Sequence, residues 1–195
     1  MSMIRRVLIV AGLCAAAVEA RGEARPRFYL EVRGVRDASA GVCGKEAQLR
    51  AALLAELKKR PEVVTDLGSP PPKAEALEGA LKERRLVGYA LLLRVVRCGH
   101  EVKPPAKGKV YRTLSADVAV ALDAEKIPSG QMALAGDGDA QVATEVGEVK
   151  DKERKQLLAE ALAEATKQAV TKSVQTLSSP PKGGAKGRGK KGRKR

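Results

Sequence analysis

The chain has 195 residues and a formal net charge of +14, from 37 Lys and Arg against 23 Asp and Glu. That length holds one ordinary domain with appendages and is too short for two well-buried cores. Hydrophobic residues make up 44% and aromatics 2%, with no Trp, which excludes a wholly disordered chain and disfavours an aromatic-lined site for sugars or nucleobases.

The charge is unevenly spread. Residues 1–20 carry +1, the last fourteen residues carry +8 with no acid, and the stretch between carries +5. The basic character therefore belongs mostly to a tail and says little about the fold.

The chain opens with a short positive segment, Met1 to Arg6, followed by an unbroken apolar run from Val7 to Val18. Twelve helical residues span about 18 Å, short of the roughly 30 Å hydrocarbon core of a bilayer. Small-x-small patterns follow at Val18-Glu19-Ala20 and Gly22-Glu23-Ala24. This is the layout of a secretory signal peptide, expected to occupy residues 1–24 and to be cleaved; a buried N-terminal element is the competing reading. Cys14 follows Ala11-Gly12-Leu13, an imperfect lipid-attachment box, and whether it is acylated stays open. Beyond this run no segment is long and apolar enough to cross a membrane, so the mature chain has no expected transmembrane span.

Removing the leader takes Cys14 with it and leaves Cys43 and Cys98 as a pair. An even count in an oxidising compartment favours a disulfide. Two free thiols are the first alternative. A metal site is the second, since His100 follows two residues after Cys98, but a structural zinc site wants four ligands and the chain has one His.

Phe28, Leu30 and Val32 alternate with Tyr29, Glu31 and Arg33, the period of a half-buried strand. Leu49, Leu53 and Leu57 recur every four positions between Glu46 and Arg60, predicting an amphipathic helix stopped before Pro61. Val63 to Thr65 is a short strand candidate, and Ser69 to Pro72 breaks the chain. Lys73 to Arg85 reads as a second helix with Ala76, Leu77, Ala80 and Leu81 on one stripe. Leu86 to Val96 is the most apolar stretch and predicts a strand covered on both faces, with His100 on the surface at its end. Alternation from Leu114 to Leu122 is the clearest strand in the chain. Ile127 to Gly130 forms a hairpin loop into a further strand near Gln131 to Ala135. Gly136-Asp137-Gly138-Asp139 interrupts that strand, and Ala140 to Val146 is ambiguous. Asp151 to about Leu177 is a long helix buried along Leu158, Ala161, Leu162, Ala165, Ala169, Val170 and Val174.

The order is β-α-β-α-β-β-β-α, an α+β fold: a small mixed sheet of four to five strands with helices packed on it. A single domain is expected over residues 25–178. If the first strand and Leu86–Val96 lie parallel, Cys43 falls at the same sheet end as Cys98.

Four stretches carry a family resemblance: Arg27 to Val32, the helix leading into Pro61-Glu62-Val63-Val64, the helix entering Val87 to Leu93, and the hairpin Ala116 to Gly138 before the Ala-rich helix. Over about residues 26–178 the succession resembles the periplasmic domain shared by the curli-export protein CsgG, the penicillin-binding-protein activator LpoB and the N-terminal domain of TolB. The resemblance rests on element order and apolar pattern. It implies a non-catalytic envelope domain that docks onto another protein or assembles with itself. Two departures stand against the closest analogies: there are no inserted amphipathic hairpins to build a membrane pore, and the lipid-attachment box is imperfect.

No catalytic or cofactor motif competes with this reading. Gly41 to Glu46 lies between a strand and a helix but lacks the earlier Gly and the following Ser or Thr of a phosphate loop, with Ser39 and Glu46 at those places. A nucleophilic site would have to use His100, and no Gly-x-Ser-x-Gly elbow occurs. Asp137 and Asp139 are expected to be solvated acids rather than calcium ligands. No metal and no cofactor are expected, and no enzyme.

Residues 179–195 are expected to be a disordered Lys/Arg/Gly-rich tail. Its cations are Lys182, Lys186, Arg188, Lys190, Lys191, Arg193, Lys194 and Arg195, a polyanion-binding set. In an envelope the partner would be anionic lipid head groups or lipopolysaccharide. In a cytoplasm it would be nucleic acid, and a merely solubilising role is the bland alternative. The expectation is an exported protein, periplasmic or outer-membrane-associated, acting as a binding or assembly module; the alternative is a nucleic-acid-binding protein working through its tail.

Overall fold

The computed structural model describes residues 27–39, 41–68 and 74–179. The expected leader, Cys14, the Pro-rich break and the tail cations lie outside the described residues. The elements are β1 (Phe28–Asp37), α1 (Glu46–Lys58), β2 (Val63–Val64), α2 (Ala74–Glu83), β3 (Val87–Lys103), β4 (Arg112–Ile127), β5 (Met132–Val146) and α3 (Asp151–Ser178). They form one mixed five-stranded sheet in the order β2-β1-β3-β4-β5. The fold is α+β, with the element order that the sequence pattern gives.

Pairing follows from the connections. β1 runs parallel to both β2 and β3, with Phe28 opposite Val63 and Val87. Helical crossovers through α1 and α2 make those parallel neighbours possible. β3, β4 and β5 are joined by short turns and pair antiparallel.

The main core lies on one face of the sheet. Leu30 and Val32 of β1, Leu91, Leu93 and Val95 of β3, and Leu114, Val118, Val120 and Leu122 of β4 pack there against α1 and α3. α1 contributes Leu49, Leu53 and Leu57, all buried. Its first turn is closed by the Lys45 N–H, which donates to Gln48 Oε1 at 3.0 Å, and Arg60 just beyond its end donates to Thr171 Oγ1 of α3. α3 buries every residue of the expected stripe, together with Leu157, Thr166 and Ser173.

α2 covers a small part of the opposite face, where Leu81 meets Tyr29, Leu67, Ala90 and Ile127. The rest of that face is polar, which corrects one expectation. β3 is not covered on both faces along its length: Leu91, Leu93 and Val95 are buried, but Arg94 and Val96 between and beyond them are exposed. The apolar run mixes a true core face with a bulge between Val95 and Arg97, so its composition overstates its burial. β3 also runs on to Lys103, so His100 sits within the strand opposite Ala116 rather than at its end.

A second correction concerns β5. It is continuous from Met132 to Val146, and the Gly-Asp-Gly-Asp stretch is part of it. Gly136 and Gly138 lie opposite Leu122 and Val120, on the face that α3 crosses. A Cβ on Gly138 would stand 1.8 Å from the Ala165 carbonyl oxygen, and one on Gly136 would stand 3.0 Å from that of Ala169. The glycines let a helix backbone approach the strand; they do not break it.

Candidate binding surface

Strand register builds the polar face. Arg97 of β3 lies opposite Ala119 of β4, which lies opposite Asp139 of β5. Because Ala119 is small, the Arg97 guanidinium passes over it and donates from Nη2 to Asp139 Oδ2 at 2.8 Å, two strands away. Its Nε also faces Asp117 Oδ2 at 2.8 Å. One rung along, Arg94 donates to both oxygens of Asp123, at 2.7 and 3.2 Å. These hydrogen bonds, to Asp123 and Asp117 respectively, push the Arg94 and Arg97 pKa values upward. The face is thus a ladder of arginines and aspartates that neutralise each other in place.

Two side chains of α3 reach the outer edge of β5 at Asp137 and Asp139. Lys172 Nζ reaches Asp137 Oδ2 at 2.8 Å, and this hydrogen bond holds the Asp137 carboxyl below its ordinary value of 3.8. Gln168 Oε1 accepts from the Asp139 backbone N–H at 3.4 Å. A side chain that occupies an edge N–H, as Gln168 does, locally blunts strand addition. Asp137 and Asp139 are therefore strand residues rather than the loop residues expected, and they stay solvent-exposed while held in surface ion pairs.

Beside the ladder lies a shallow depression of about 250 Å³ that includes Cys98, Gly99, His100, Ser115, Asp117 and Gln141 in its lining. The presence of Ser, His and Asp there does not make a nucleophilic site. Ser115 Oγ is turned to the Glu101 carbonyl at 3.5 Å, and Asp117 is taken by Arg97. The register puts His100 with Ala116 on the opposite face from Ser115 and Asp117.

Cys98 of β3, opposite Val118 of β4, is joined to Cys43 in the loop between β1 and α1, with an S–S distance of 1.98 Å and Cα atoms 5.8 Å apart. The parallel pairing of β1 and β3 brings the two together, as their sequence positions anticipate. The eight tail cations lie outside the described residues. The polar ladder was not legible in the sequence, because each Arg–Asp partnership depends on register, and those of Arg97 also on the bulge between Val95 and Arg97.

The two ends of the sheet differ. α3 runs antiparallel to β5, with Ala165 near Gly138 and Ser173 near Gly136. Its last residues thus lie toward the start of β5, the end where β1 also begins. At the other end the β3–β4 hairpin extends past the Lys103–Thr113 rung and carries the exposed residues Val110 and Tyr111.

No family model matches the sequence, and no curated protein matches it. Among solved structures, the chain is similar to protein XCC0632 from Xanthomonas campestris, of the DUF330 family, at 9% identity and a TM-score of 0.50, covering 80% of this chain and 89% of that one. Protein CT253 from Chlamydia trachomatis follows at 7% identity and a TM-score of 0.45, over 78% of this chain and 98% of that one. A minor lipoprotein from Acinetobacter baumannii shares 12% identity at a TM-score of 0.36, over 76% and 95%. Bacterial lipoproteins thus stand among the structural neighbours, and at these identities what the chain shares with XCC0632 is the fold.

Proposed function

We propose that the chain is an exported, non-catalytic envelope protein, a binding or assembly module in the manner of the CsgG, LpoB and TolB N-terminal domains. The observation that carries this reading is the bond between Cys43 and Cys98. A disulfide persists in the oxidising envelope and is rare where cellular thiols are kept reduced. The leader-like first 24 residues fit the same compartment. On the open face, Asp117, Asp123 and Asp139 are each engaged by an arginine, so that face serves docking rather than proton transfer. The tail cations Lys182 to Arg195 then face anionic lipid or lipopolysaccharide phosphates.

Fractionation of the native cell tests the reading. The protein is expected in the periplasmic or outer-membrane fraction, with anionic-vesicle binding that weakens as salt rises. Recovery from the cytoplasm, with DNA binding whose log affinity falls against log salt at a slope of about −7, would contradict it. That outcome would favour a nucleic-acid-binding protein acting through the tail.

A further inference from the structure

The chain has four aromatic residues, one Phe and three Tyr. Phe28 and Tyr29 are buried, and Tyr89 packs against the main core. Tyr111 alone is spent on the surface, 55% exposed, beside Val110 at 81%. An exposed apolar pair gives up the favourable transfer from water that burial would bring, in a molecule with few aromatics to spend. Around the pair stand Lys103, Lys107, Lys109 and Arg112, and no acid occurs from Val102 to Leu114. Lys103 lies 3.7 Å from Glu101 and Lys109 lies 2.9 Å from Glu145. Lys107 and Arg112 are exposed and have no ion-pair partner among the described residues.

We propose that this hairpin tip is a membrane-touching element. Val110 and Tyr111 enter the head-group region of an anionic glycerophospholipid bilayer, and Lys107 and Arg112 meet the lipid phosphates. Tyrosine suits that zone, with an apolar ring and a polar hydroxyl, and clustered cations add attraction to an anionic leaflet. A protein partner fits less well, because a stable interface needs roughly 800 Å² from each side and the apolar part of the tip is two residues. The tip lies away from the C-terminal end of α3, which points to the opposite end of the sheet, and 28 helical residues extend about 42 Å.

The absence of Trp makes the test direct. Tyr111→Trp in the full chain places the only indole at the tip, with an unchanged melting temperature as the check on folding. Vesicles of phosphatidylcholine and phosphatidylglycerol in equal parts are expected to blue-shift its emission, and brominated acyl chains to quench it. Adding Val110→Asp is expected to weaken vesicle affinity about tenfold, the loss that follows from withdrawing a buried valine. Co-sedimentation with no change in emission would mean that the tail binds alone, and would overturn the proposal. So would absence of any binding, or an equal shift with phosphatidylcholine alone.

Discussion

Gly138 lets the backbone of α3 come close to β5 at Ala165: a Cβ at position 138 would fall 1.8 Å from the Ala165 carbonyl oxygen. The obstructing atoms belong to the backbone of α3, including the Ala169 nitrogen at 2.9 Å, so no rotamer change can relieve the clash. Gly138→Ala is expected to destabilise the fold by about 1–3 kcal/mol, the usual cost of overpacking. A Cβ on Gly99 meets nothing within 4 Å, and Gly99→Ala is expected to change stability by less than about 0.5 kcal/mol. Equal denaturation midpoints for the two variants would contradict the packing account.

This contact also marks where sequence reading stops. The apolar stripe of α3 and the alternation of β4 are local patterns, and both are present in the structure as read. The glycines of β5 looked like a break because a Gly-Asp-Gly-Asp run has turn composition, while their role depends on a helix about thirty residues later. The same holds for the open face: nothing local announces that Arg97 will cross Ala119 to reach Asp139. β3 was misjudged in another way, since hydrophobic composition does not say which face a helix covers, and α2 reaches only the Gly88–Ala90 end.

The disulfide closes a separation of 55 residues, for which loop-closure entropy gives about 4 kcal/mol. Cys43→Ser is expected to lower the melting temperature relative to the oxidised wild type and to match the wild type once reductant is added. A wild type that melts equally with and without reductant would contradict a bonded pair.

Thr166 is fully buried on α3, and its hydroxyl has no hydrogen-bond partner among the described residues. Thr166→Val keeps the shape and removes the unpaired group, so a gain of about 1 kcal/mol is expected in denaturant unfolding. A loss of that size would show that the hydroxyl is bonded in solution.

The Lys172 hydrogen bond depresses the Asp137 carboxyl below 3.8. A carboxyl depressed in the folded state stabilises above its unfolded value, and that stability disappears as pH falls through the folded value. Asp137→Asn is therefore expected to be slightly less stable than wild type at neutral pH, with the gap closing in acid below the ordinary value of 3.8. Both partners are exposed, which keeps the effect small. A gap that is constant with pH would argue against the pairing.

Export into an oxidising compartment is tested most directly by the intact mass of the protein from its native cell, with and without reductant. Loss of about the first 24 residues, as signal-peptide cleavage dictates, together with a gain of two hydrogens on reduction, is the predicted result. A full-length mass unchanged by reductant would contradict both the leader and the Cys43–Cys98 bond, and would turn attention to the basic tail and nucleic acid.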